Sequence, residues 1–198
     1  ASHVFDIVWP GQSAILKNPD PSKGKDHDIM PNSCSKCHAF ARTSGEIMGY
    51  LGADDLHLPW TLSLVAEIFE RFPQIDWITS QYPLTADAGG RVLKARRLTP
   101  PCRKAFFRSA NLPGLGWQAA GWIQQESTFW RRSLWDRSGG FDSALKLAGD
   151  FDLWCRFMRL AEPGALSAPL AAFRRHGQQI SSAQKGAYLQ EALAALRR

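Results

Sequence analysis

Glu46-Ile47-Met48-Gly49-Tyr50-Leu51-Gly52-Ala53-Asp54-Asp55 is the stretch on which the reading of this chain turns. Its short apolar run reads as a buried strand, and the strand runs directly into an acidic turn. Pro59 then opens a helix. Leu62, Val65, Ala66, Phe69 and Phe72 recur at helical spacing, and Pro73 stops it. Ile75 to Thr79 reads as the next strand. Strand, helix and strand in that order predict an α/β fold, a mostly parallel sheet flanked by helices.

Upstream the chain changes character. Val4 to Trp9 reads as an edge strand stopped by Pro10-Gly11, and Asn18 to Ser35, rich in Pro, Asp, Lys and Ser, reads as loop or disorder. Downstream, residues 83–118 read as a long, mobile insertion with turn signals at Ala88-Gly89-Gly90 and Pro100-Pro101. Thr128 to Arg137 reads as a helix closed by Gly139-Gly140. A second helix starts at Asp150, with an apolar stripe of Phe151, Trp154, Cys155 and Met158. Leu166 to Phe173 is a strand that Pro169 pushes toward an edge. Leu189, Ala192, Leu193 and Leu196 mark a terminal docking helix. The expected organisation is an irregular segment over 1–44, a folded α/β portion over 45–182 and a C-terminal helix over 183–198.

The bulk numbers set limits. A chain of 198 residues can build one domain with a real core. No run of about 18 apolar residues occurs, so no transmembrane helix is expected. The net charge of +6 favours anionic partners: a nucleotide diphosphate, an anionic membrane surface or a nucleic acid. No nucleic-acid motif accompanies it, so nucleic acid is set aside. The four cysteines, with no secretion signal to be seen, predict a reduced, cytoplasmic setting rather than a disulfide framework.

Five groups of residues can carry chemistry. Asp54-Asp55 stands at a strand end, where open α/β sheets place their ligands, and two carboxylates there suit one Mg2+ or Mn2+. The plainer role is a turn or a helix cap. Asp150 sits where a helix begins, as an N-cap or as a general base that the helix N-terminus keeps ionised. Gln124-Gln125-Glu126-Ser127 reads as a pocket floor or a capping segment. In Arg174-Arg175-His176 the imidazole suits a metal and Arg174 a phosphate, unless the run is only a basic strand end in solvent. Cys34-Ser35-Lys36-Cys37-His38 matches the haem-attachment pattern and half of a zinc site, with no second cysteine pair to complete the latter.

In order and spacing the pieces are more specific than any one of them. Ser44 to Asp55 resembles the "sGeiigyLnaDD" segment of the inverting family 2 glycosyltransferases. Gln125 to Arg132, Gly139 to Asp142, Ala148 to Trp154, and Phe173 to His176 with Ser181 follow the same family in order. The resemblance covers roughly residues 39–182 and implies a partial GT-A, Rossmann-like fold. It also implies roles: Asp55 as metal ligand at the donor diphosphate, Asp54 near the donor ribose or sugar, Asp150 as catalytic base, Gln125 and Glu126 along the sugar or acceptor site, and His176 completing the metal shell. The implied partners are a nucleotide-sugar donor and a saccharide or lipid-linked acceptor, with peripheral contact at the inner face of a membrane.

The sequence also departs from that family. Only 44 residues precede Gly45, fewer than the nucleotide-binding strand-and-helix unit the family carries there. Pro10 to Ile15 is only faintly similar to the family's "GQsdAi" stretch, and Gly52 stands where Asn is common. The expectation is a catalytic, acceptor-side portion whose nucleotide-binding part is missing or degenerate. The alternatives are a non-catalytic remnant or carbohydrate-binding module on the same half-fold, and a small c-type haem protein built on Cys34, Cys37 and His38.

Overall fold

A computed structural model of the chain describes residues 5–8, 35–112, 120–175 and 184–198. Its elements in chain order are β1 (Phe5–Val8), α1 (Ser35–Ala41), β2 (Ile47–Tyr50), β3 (Leu56–His57), α2 (Thr61–Arg71), β4 (Trp77–Ser80), β5 (Leu84–Ala86), β6 (Val92–Ala95), α3 (Arg103–Phe106), β7 (Thr128–Arg131), α4 (Arg132–Ser138), α5 (Gly149–Leu160), β8 (Gly164–Leu166), β9 (Ala171–Arg174) and α6 (Lys185–Arg197). A 3-10 turn, Gln125–Ser127, leads into β7.

Two sheets form. The larger has the order β1-β2-β7-β4-β8, the smaller β3-β9-β5-β6. In the larger sheet β1 pairs parallel to β2, and β4 parallel to β8. Strand β7 runs antiparallel to both its neighbours, β2 and β4. Four strands therefore share one direction and the central one opposes them, which is the mostly parallel α/β sheet expected from the sequence.

Alternation along these strands sorts the core into two layers. Met48, Tyr50, Trp77 and Trp130 point to one face, where α1, α4, α5 and α6 cover them. Ile47, Ile78 and Phe129 point to the other, under Val65 and Phe69 of α2. On the first face Trp77 stacks on Trp154 at 5.6 Å between ring centroids, and Trp154 meets Trp130 edge-on at 5.7 Å. Such aromatic pairs add to the large area each ring buries.

Three expectations are corrected. Thr128–Arg131 is a strand, not the first turn of a helix; the helix begins only at Arg132 and ends, as expected, at Gly139 in the left-handed conformation. Phe129 and Trp130 are buried on opposite faces of the sheet, a demand that period two meets and period 3.6 does not. The 83–118 stretch is not structureless: it holds the β5–β6 hairpin and α3. Leu166 to Phe173 is two strands in different sheets, with Pro169 in the link between them and β8 at the sheet edge.

Gly49 marks the tightest packing in β2. A Cβ there would lie 2.7 Å from the Phe129 ring. Gly49→Ala is therefore expected to cost about 1–3 kcal/mol through overpacking. Gly186→Ala, with nothing within 4 Å, should be neutral or mildly stabilising. Urea unfolding midpoints of the two variants check both.

Candidate functional site

The site lies where β2 ends. Leu51-Gly52-Ala53-Asp54-Asp55 leaves the strand in a turn closed by the Asp55 N–H donating to Gly52 O at 3.1 Å. Asp55 is buried, and its Oδ1 accepts from the Arg174 backbone N–H at 3.0 Å, which fastens the turn to β9. Asp54 is half-buried beside it. A Cβ on Gly52 would stand 2.5 Å from Asp55 Oδ2 and 3.1 Å from Asp54 Oδ1. The glycine found where Asn is common is what lets both carboxylates fold back over the backbone.

The reversal of β7 brings in the next group. Ile47 faces Arg131 and Met48 faces Trp130, so the amino end of β7 lies at the carboxyl end of β2. The 3-10 turn before it thus reaches the acidic turn. Gln125 Oε1 accepts the Tyr50 hydroxyl. Glu126 is 2% exposed, and its Oε1 has no hydrogen-bond partner. Burial first, then the charges of Asp55, Asp150 and Asp54, push the Glu126 carboxyl up from 4.5 to about 8. The turn is fixed from outside by Thr128 Oγ1 donating to Gln124 O at 2.7 Å and by the Thr79–Thr128 hydroxyl pair at 2.9 Å.

Asp150 arrives on α5, 7% exposed. It is the second residue of that helix, not its N-cap; Ala148 holds the cap position, and no side chain of its own makes the cap bond. A residue of α6 fixes the segment that leads into the helix. Glu191 Oε2 accepts the backbone N–H groups of Leu147 and Ala148 at 2.9 and 2.8 Å, and Oε1 that of Lys146 at 3.3 Å. Burial works to raise the Glu191 carboxyl, but these three donors outweigh it and hold it below its usual value. The neighbouring Tyr188 hydroxyl donates to Asp150 Oδ1 at 3.3 Å.

Asp54, Asp55, Glu126 and Asp150 thus converge from three separate elements, close enough for all three aspartates to act on Glu126. Tyr50 sits among them; burial, then Asp150, Tyr188, Glu126 and Asp55, push its hydroxyl well above its ordinary value, so it remains a donor. Arg174 joins the group through its backbone. His176 and Ser181 lie outside the described residues, as does Cys34. Cys37 stands on α1, its thiol 3.9 Å from Phe141 O, in a packing position.

Tyr188 and His57 join the site without having been singled out in the sequence. His57 Nε2 lies 3.0 Å from Glu126 O, which can only accept, so this nitrogen carries the proton. Burial lowers the His57 pKa and keeps the ring neutral. A lone His two residues past a pair of Asp gives no periodic signal, and Tyr188 is one aromatic residue in a helix.

Among the described residues no group of three or more His, Cys, Asp and Glu side chains is disposed to hold a metal ion. A divalent cation that arrives on a diphosphate needs only one or two protein carboxylates, because phosphate and water supply the remaining oxygens. The hard oxygen pair of Asp54 and Asp55 fits that need, in a field of crowded negative charge that a cation would relieve.

No protein-family model and no curated protein matches the sequence. Among solved structures, S. aureus TarS 1–349 in complex with UDP-GlcNAc aligns with a TM-score of 0.53 and 14% identity, over 76% of this chain and 40% of that one. TarS 1–349 in a further crystal structure gives 0.51 at 14% identity, over 81% and 50%. Another TarS crystal structure gives 0.50 at 14%, over 71% and 24%. The fold is a partial GT-A fold. It is shared with these glycosyltransferase neighbours, and the chain spans from about a quarter to half of their length. Among the described residues nothing points to a haem protein.

The buried Glu126 makes stability depend on pH. Its folded pKa of about 8 exceeds the unfolded 4.5, so between these values the folded chain holds a proton that the unfolded chain releases. Stability contributed by this group is full below about pH 4.5 and falls as pH rises toward 8, by up to about 1.4 kcal/mol per unit. Glu126→Gln should flatten that slope and raise the melting temperature at pH 8, as thermal scans across this range would read.

Proposed function

We propose that this chain is the catalytic, acceptor-side portion of a glycosyltransferase that moves a sugar from a nucleotide-sugar donor to an acceptor hydroxyl with inversion. The observation that carries it is the meeting of the Asp54–Asp55 turn, Glu126 and Asp150 at the carboxyl end of β2. Open α/β sheets bind ligands at that end. The GT-A-like fold and the UDP-GlcNAc bound by the TarS neighbour support the same reading.

In this reading Asp150 removes the proton from the acceptor hydroxyl. The freed oxygen attacks the anomeric carbon from the face opposite the diphosphate. The bond from that carbon to the diphosphate oxygen breaks, its electron pair leaves with the diphosphate, and configuration inverts. Asp55, with His176, would hold a divalent cation, which would supply charge neutralisation at the leaving diphosphate. Asp54 faces the donor ribose or sugar, Arg174 the phosphates, and Gln125 and Glu126 the sugar. Glu126, largely protonated at pH 7, can donate to a sugar hydroxyl that a second fixed anion would repel. Tyr188 acts as a positioning residue, aiming the Asp150 carboxylate through its hydroxyl.

The test is UDP release from a panel of UDP-sugars, with and without Mn2+. Asp150→Asn should lower turnover by roughly 100-fold or more, the scale of general-base catalysis, with UDP affinity unchanged. Wild-type turnover in that variant would leave Asp150 as a structural residue. Tyr188→Phe should lower kcat by roughly 10-fold with KM unmoved, the loss of one hydrogen bond to a charged group. In calorimetry, Asp55→Ala should remove the Mn2+-dependent part of UDP binding; undiminished affinity would end its metal role.

A further inference from the structure

The chain's positive charge is concentrated in one place. Residues 88–125 hold seven of the 24 Lys and Arg and none of the 18 Asp and Glu, so the rest of the chain is near neutral and this stretch accounts for the formal +6. Its most exposed part is the outer strand of the β5–β6 hairpin and the residues after it. Every residue of Arg91-Val92-Leu93-Lys94-Ala95-Arg96-Arg97 is exposed, with Val92 at 50% and Leu93 at 53%. Arg91 pairs with Asp87 at 3.3 Å. Lys94, Arg96 and Arg97 make no ion pair with any described residue.

The hairpin is well built. Asp87 Oδ1 accepts the Gly89 and Arg91 N–H groups at 3.0 and 2.9 Å, and Gly90 turns the chain at φ +87°. Among the described residues strand β6 pairs only with β5, which leaves its outer edge open to them. Basic residues on an edge strand also guard against strand-to-strand association. That duty calls for charge alone, and gives no reason for two adjacent half-exposed aliphatic residues between the bases.

We propose that the β5–β6 hairpin is a membrane-contact surface whose partner is an anionic lipid bilayer. The strand meets the bilayer by its open edge: Lys94, Arg96 and Arg97 lie at the phosphates, while Val92 and Leu93, on opposite faces of the strand, flank that edge at the boundary between headgroups and acyl chains. Charge complementarity selects an anionic surface, and the aliphatic pair selects a bilayer over a water-soluble polyanion. The placement also matters for the site. Ala86 of β5 pairs with Arg174 of β9, whose N–H holds Asp55. Two strand spacings, roughly 10 Å, separate the hairpin edge from Arg174, and Asp55 lies one hydrogen bond beyond it. An acceptor hydroxyl carried just above a lipid headgroup would lie at that height. The membrane proposal does not depend on the role given to Asp150.

The experiment is co-sedimentation of the full chain with vesicles of phosphatidylcholine alone or with roughly 30% phosphatidylglycerol, at about 0.1 M and about 0.5 M salt. Wild type should pellet with the anionic vesicles at low salt and stay in solution with the neutral ones. Lys94→Gln/Arg96→Gln/Arg97→Gln should weaken binding roughly 100-fold, about 5-fold for each base. Val92→Ser/Leu93→Ser keeps every charge and should weaken it several-fold. All five side chains are exposed, and unchanged melting curves would show the variants folded. Wild type left in solution with anionic vesicles overturns the proposal. So does a Val92→Ser/Leu93→Ser variant that binds as tightly as wild type and a wild type that binds RNA as well as lipid, since the surface would then be a general polyanion binder.

Discussion

The reversal of one strand organises this molecule. With β7 antiparallel between β2 and β4, the carboxyl ends of two parallel strands and the amino end of the strand between them meet at the same rim of the sheet. A parallel strand in that position would have sent Gln125–Ser127 to the far side. The reversal also sets the packing: Trp130 and Phe129, adjacent in sequence, become the central residues of two cores on opposite faces. Core and site therefore depend on the same four-residue strand, and the Gly49–Phe129 contact holds its register from the neighbouring strand.

The rim that results is electrostatically costly. Four acidic residues share a poorly solvated space, and the chain accommodates them by protonating the most buried, Glu126, and by tying Asp55 to a backbone donor. Like charges held close together in a poorly solvated space raise the free energy of the folded chain. Such an arrangement is common where a protein is shaped for a ligand that completes the charge balance, and less so where only stability is at stake.

Much of the fold was legible because the apolar spacing was strong. The β2–α2–β4 unit, α5 and the terminal helix all followed from period and from Pro and Gly punctuation. Strand β7 misled because Thr128-Phe129-Trp130-Arg131 runs without a break into a helical sequence, and only burial on both faces separates the two. The hairpin in the 83–118 stretch was hidden by its exposure: a strand with no buried face shows no alternation. At the site, the Asp pair, Glu126 and Asp150 stood out as acidic residues beside predicted element ends. His57 and Tyr188 did not, since their partners are a backbone carbonyl and a carboxylate supplied by distant segments. Asp150 could be read as a cap or as a base because Asp at a helix start serves either use; the sequence has no local sign that Glu191, from a distant helix, holds the residues leading into α5.

The Glu191 contact bears on the order in which the molecule comes together. The segment that leads into α5 receives its acceptor from a residue 43 positions further along the chain. During synthesis, β2, β7 and α5 emerge before α6 exists. Until it arrives, the three backbone donors just ahead of α5 must turn to water. The final setting of Asp150, which also takes a hydrogen bond from Tyr188 of α6, is complete only when that last helix docks.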